Sequence, residues 1–148
     1  MRRRSQFFLN FGYKFFNMIQ RIQTIYLFAA GLISSLAAFV LPMYEVGGEA
    51  VASTGSMWIF FLFGWCMATF SGAILFFSKR NFQLLLVRLG MLSSLVVLAL
   101  LIVEIRGTEG AKAAYGVVVP MVNIILAFLA SKGIQADEKK VRSLDRLR

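Results

Sequence analysis

Apolar residues gather along this chain in runs of about 20, enough to cross a hydrocarbon core roughly 30 Å thick at about 1.5 Å of helical rise per residue. The runs extend from Thr24 to Met43, Met57 to Ser78, Phe82 to Val103 and Ala113 to Ser131. Neither strand-type alternation nor an internal repeat competes with a helical reading. The predicted class is therefore an all-α membrane protein, an antiparallel four-transmembrane-helix bundle over residues 18–132. Short connections make neighbouring spans antiparallel, with a tight turn at Ser78–Asn81 between the second and third. The connection Tyr44–Ser56 carries Glu45, Gly47, Gly48, Glu49 and Gly55 and no basic residue. The connection Glu104–Lys112 sets Glu104 and Glu109 against Arg106 and Lys112. Neither is long enough for a domain of its own.

The polar positions between the runs are lopsided. Arg2, Arg3, Arg4, Lys14 and Arg21 precede the first run, and Lys79, Arg80 and Arg88 surround the central turn. Lys132, Lys139, Lys140, Arg142, Arg146 and Arg148 follow the fourth run. Only Arg106 and Lys112 fall on the opposite side. Lys and Arg accumulate in cytoplasmic loops, so both termini and the central turn are expected in the cytoplasm. A cleaved leader is a poor alternative: the Ala50-Val51-Ala52 triplet resembles a cleavage site but lies about ten residues beyond an overlong apolar run.

Composition agrees with a lipid solvent. Hydrophobic residues make up 59% and charged residues 16% of the chain, with a mean hydropathy of +0.74. A soluble domain carries roughly a quarter charged positions. The net charge of +9 and pI near 10.3 would point to nucleic acid in a soluble protein. Here the topology accounts for the charge, and anionic lipid headgroups, not nucleic acid, are the expected partners.

Reactive chemistry is sparse. Cys66 is the single cysteine and histidine is absent, which removes intramolecular disulfides, paired-thiol redox and paired-His haem ligation. No catalytic residue, cofactor or metal site is expected. Arg88 is the one formal charge inside a predicted span and lies near its cytoplasmic end, where a long stem can snorkel to headgroups. Gly64, Ala68 and Gly72 form a small-residue stripe suited to helix packing or a docking partner, and Gly90 and Ser94 permit similar contact. Pro120 can kink the fourth span and free a carbonyl, while Asn123 can bond to another helix. No Asp or Glu is expected within the membrane, which argues against proton-coupled transport.

The segment 133–148 reads as a basic cytoplasmic tail. From Ala136 it suggests a short amphipathic helix, with Asp137 and Glu138 at its start suiting the helix dipole and Val141, Leu144 and Leu147 on one side. It can lie on anionic headgroups, dock on a protein or stay solvated; its basic residues Lys139, Lys140, Arg142, Arg146 and Arg148 join Lys79, Arg80 and Arg88 as contacts for lipid or partner. At the other terminus, residues 1–17 are basic and aromatic and read as a dispensable extension, since Met18 offers a second start directly before the first span.

The chain resembles a group of small bacterial membrane proteins catalogued as a domain of unknown function, number 4293. The resemblance opens at Met18-Ile19-Gln20-Arg21-Ile22-Gln23-Thr24 and continues through Lys79, Arg80, Gln83 and Arg88. It closes at Gly133-Ile134, Asp137-Glu138-Lys139 and Val141-Arg142-Ser143-Leu144-Asp145-Arg146-Leu147-Arg148. It implies a four-span inner-membrane protein and supplies no activity. The expected role is a non-enzymatic accessory or scaffold subunit of a membrane complex, docking through its basic cytoplasmic face. The alternative is a small oligomeric transporter or channel subunit, with Ser94, Tyr115 and Asn123 as its only lining candidates.

Overall fold

The computed structural model describes residues 22–145. Expectations about residues 1–17, Met18–Arg21, Arg146 and Arg148 fall outside them, as do the side chains of Lys140 and Arg142. Four helices are long and apolar enough to cross a membrane: α1 over Ile22–Phe39, α2 over Met57–Leu75, α3 over Arg80–Gly107, and α4, which runs from Val118 to Asp145.

Each helix ends for a local reason. The first stops at Phe39, short of the expected Met43, because Pro42 has no N–H to donate and disfavours helical geometry at Leu41. A turn closes the end instead, with the Val40 and Leu41 amides both donating to Leu36 O. The second stops at Leu75, and residues 76–78 turn the chain into α3, with Lys79 N donating to Phe76 O. The fourth begins at Val118, not Ala113, because Lys112–Ala113 is a strand and Tyr115–Val117 a 3-10 turn. Pro120 thus lies in the first turn of α4, where an amide has no intrahelical acceptor. The expected break at Pro120 has no bond to break.

The all-α expectation misses a small sheet. Strand β1 (Pro42–Val46) lies between β2 (Glu49–Ala52) and β3 (Lys112–Ala113), and both pairings are antiparallel. Val46 pairs with Glu49 across a two-residue loop, Gly47–Gly48, with φ of 61° and 92°. Positive φ at both loop positions matches the twist of a hairpin and is accessible to glycine without a Cβ penalty. Because β3 follows α3 and the β1–β2 hairpin follows α1, the sheet ties the two long connections together. This end of the bundle is here the sheet end, and the end holding residues 76–79 the turn end.

Side-chain seams run the length of the bundle. Buried positions recur three or four residues apart: Gln23, Leu27, Ala30, Ser34 and Ala37 on α1; Ile59, Phe63, Cys66, Phe70 and Ala73 on α2. On α3 they are Val87, Gly90, Ser94, Val97 and Leu101, and on α4 Val119, Asn123, Ala127, Ala130, Ile134 and Asp137. That spacing is the seam of left-handed helix packing. Exposed positions hold large apolar groups such as Phe28, Phe61, Leu92 and Ile125, as a lipid-facing surface requires. Gly90 lets α2 come close, since a Cβ there would lie 2.6 Å from the Phe70 ring.

Candidate functional site

The seam residues sort into two apolar clusters with a polar layer between them. Toward the turn end, Leu27, Phe70, Val87, Ala130 and Ile134 pack together. Toward the sheet end, Ala37, Phe63, Val97, Leu101 and Val119 do the same. Ser34 and Asn123 meet between them, with Asn123 Nδ2 donating to Ser34 Oγ at 2.8 Å and Ser34 Oγ donating to Ala30 O at 2.7 Å. At the corresponding level of α2 and α3, Cys66 Sγ lies 3.6 Å from Ser94 Oγ, and Ser94 also donates to Gly90 O. All four residues are enclosed, and Asn123 Oδ1 has no hydrogen-bond partner. Tyr115, by contrast, is 83% exposed at the sheet end. The three candidate lining residues are therefore not on one path.

One turn beyond the turn-end cluster lies a polar contact that sequence reasoning missed. Gln23 Nε2 donates to Asp137 Oδ2 at 2.7 Å, with Asp137 only 2% exposed and Gln23 6%. Gly133 makes room for it: a Cβ there would stand 2.8 Å from Gln23 Cγ. The second oxygen, Asp137 Oδ1, is buried without a partner. Asp137 therefore does not start a separate tail helix. It sits deep inside an unbroken 28-residue α4 and faces α1. The available signal was its offset, since Ala127, Ala130, Ile134 and Asp137 follow one another at three- and four-residue steps.

The remaining expected contacts lie around the turn end. Lys79, Arg88 and Lys139 are exposed, and Arg80 is half-buried. Arg88 stands about 12 Å along α3 from Arg80 at the usual helical rise. Between α3 and α4 a cleft of about 490 Å³ is lined by Asn81, Leu84, Leu85, Arg88, Gln135, Glu138 and Lys139. Lys132 lies with Nζ 4.9 Å from the Phe128 ring centroid, a cation–π contact along α4. The small-residue stripe does not act as a unit within the bundle. A Cβ on Gly64 would meet nothing within 4 Å and Ala68 is exposed, whereas one on Gly72 would lie 3.4 Å from Leu86 Cδ1.

The sheet end has its own polar contacts. Ser53 Oγ lies 2.6 Å from Ala38 O and 3.1 Å from Ala37 O, satisfying carbonyls left open where α1 ends. Tyr44 OH donates to Glu104 Oε1 at 3.3 Å. Burial, then the negative charge of Glu104 and that hydrogen bond, push the Tyr44 phenol above its ordinary value. Among the described residues, no group of three or more His, Cys, Asp or Glu is placed to hold a metal.

Residues 19–147 match a family described as a domain of unknown function (DUF4293). The chain belongs to this family. The matched stretch spans all four helices and takes in Gln23, Gly133 and Asp137, so the buried contact lies within the DUF4293 domain. Positions that carried the sequence resemblance at its two ends, Gln23 on one side and Gly133 and Asp137 on the other, meet in space at the turn end. No curated protein and no solved structure matches the chain.

Proposed function

We propose that this DUF4293 protein is a non-enzymatic, multi-pass subunit of the bacterial inner membrane that docks onto a larger membrane assembly through its cytoplasmic, turn-end face. The observation that carries the reading is the continuity of α4. Twenty-eight residues at about 1.5 Å each make a rod of roughly 42 Å, longer than a hydrocarbon core. Asp137 and Gln23 fasten the rod to α1 where it leaves the apolar cluster, so its last two turns continue from an anchored point. A projecting basic helix held rigidly loses little conformational entropy on docking.

The charge bias supports this orientation, since Lys79, Arg80, Arg88, Lys132 and Lys139 all cluster around one end. The transporter reading draws less support, because Asn123 and Ser94 are sealed between two apolar clusters.

Gentle solubilisation of native membranes followed by affinity capture tests the docking role. A stop codon after Lys140 spares Asp137 and removes the end of the rod. The expected result is a defined co-purifying membrane complex that is lost on truncation while insertion persists. A protein that is captured alone, with or without the last residues, overturns the reading.

A further inference from the structure

The cleft between α3 and α4 has a chemistry that docking alone does not use. Because the two helices are antiparallel, exposed Arg88 and Gln135 lie at the end of the cleft nearer the middle of the helices, and Asn81 and Lys139 at the end nearer the turn. We propose that this cleft binds the phosphate of an anionic glycerophospholipid, entering sideways from the bilayer. The proposal rests on the turn end being the cytoplasmic face, and it deepens the docking reading by naming a ligand of that face.

Three features converge on it. Arg88 makes no hydrogen bond or ion pair with another described residue, while Glu138, the one acid in the lining, is already engaged within the protein. Two cations, Arg88 and Lys139, are thus left facing a space also bordered by Asn81 and by Gln135, whose amide donates to Ser131 Oγ at 3.3 Å. A guanidinium presents a planar fork that fits two phosphate oxygens, and a lysine adds a point charge.

The second feature is depth. Arg88 lies about 9 Å inside the apolar run that begins at Phe82, a depth from which its long stem can carry the guanidinium back to the headgroup layer. The third is an apolar track leading out of the cleft. Leu85, Leu89, Leu92 and Val96, at steps of four, three and four, are all exposed along one face of α3. An acyl chain attached to a phosphate held at Arg88 would lie against that track. A soluble phosphate compound has no use for it.

Native mass spectrometry of the full chain, released from nanodiscs containing equal amounts of phosphatidylglycerol and phosphatidylcholine, tests the assignment. The wild type should retain phosphatidylglycerol preferentially, and Arg88→Gln should weaken retention about tenfold, the loss of one charge-assisted hydrogen-bonded contact. Arg106→Gln, at the sheet end, should leave it unchanged. Equal retention of both lipids, or an Arg88→Gln variant indistinguishable from Arg106→Gln, overturns the proposal. Displacement of the lipid by excess inorganic phosphate also overturns it, in favour of a soluble ligand. Protection of Cys66 from maleimide reports whether each variant is folded. If Arg88→Gln unfolds, Arg88→Lys with intermediate retention supports the site, and full retention or loss of the wild-type lipid preference counts against it. A protein captured without partners sinks the docking reading yet leaves this lipid preference as it was.

Discussion

Gln23 Nε2 reaches Asp137 Oδ2 at 2.7 Å, joining positions 114 residues apart and fixing the first turn of α1 to the far half of α4. Removing the amide leaves a buried carboxylate without its donor. Gln23→Ala should therefore destabilise the bundle by about 1.5–3 kcal/mol. Asp137→Asn should cost less, because an amide oxygen can still accept the bond and the buried charge is gone. Unfolding in mixed detergent, followed by Cys66 labelling, reads both. Equal losses for Gln23→Ala and for an exposed control such as Gln135→Ala would remove the bond from the account.

Gly133 is the seat of that contact. Alanine there places a Cβ 2.8 Å from Gln23 Cγ and 2.9 Å from Gln23 Nε2, so the glutamine must swing away from Asp137. Gly133→Ala should cost about 1–3 kcal/mol, in the range of overpacking substitutions. The loss should be strongly non-additive with Gln23→Ala, because both act through one contact. A double mutant whose loss equals the sum of the two would show that Gly133 matters for another reason.

The sheet end predicts an alkaline signature. The Tyr44 phenol is held above its ordinary value by burial and by Glu104, so the folded protein binds its proton more tightly than the unfolded chain does. The stabilisation is fully present below the unfolded value near 10 and is lost as pH rises from there through the folded value. Ultraviolet titration should show a late tyrosine step, and Tyr44→Phe should remove it. A titration unchanged by the substitution would contradict the Tyr44–Glu104 contact.

Asn123→Leu separates structural glue from a conduction path. Interhelical bonds of this kind average about 0.6 kcal/mol in membrane bundles, and Asn123 already carries an unpartnered Oδ1. The variant should lose little stability, or none, and should leave ion or solute flux in proteoliposomes at its wild-type level. A clear change in flux would instead favour the transporter reading.

How much of this was legible beforehand differs from element to element. The apolar runs located every helix, because in lipid a helix must satisfy its own backbone and a run of suitable length declares itself. Their ends were less legible. The Leu41–Pro42 step announced a stop before Met43, and the Val46-Gly47-Gly48-Glu49 string carried a hairpin signal that the surrounding apolar pattern concealed. The pairing of β3 with β1 was not readable, since two residues of strand leave no periodicity.

Asp137 was hidden for a different reason. It opens the string Asp-Glu-Lys-Lys, whose charge suggests water on every side, and only the three-dimensional seam shows one member of that run turned inward. Gly64 and Ala68 illustrate the reverse. Small residues at four-residue spacing suit close helix approach, but spacing alone does not say which face of α2 meets a neighbour.

The three-stranded sheet knits together the loops that join α1 to α2 and α3 to α4, so the rods are pinned like the sprung end of a peg. At the opposite tips, an amide-to-carboxylate clasp between Gln23 and Asp137 holds the jaws of α1 and α4. A partner or lipid wedged there would act on the joint with the longest lever in the molecule.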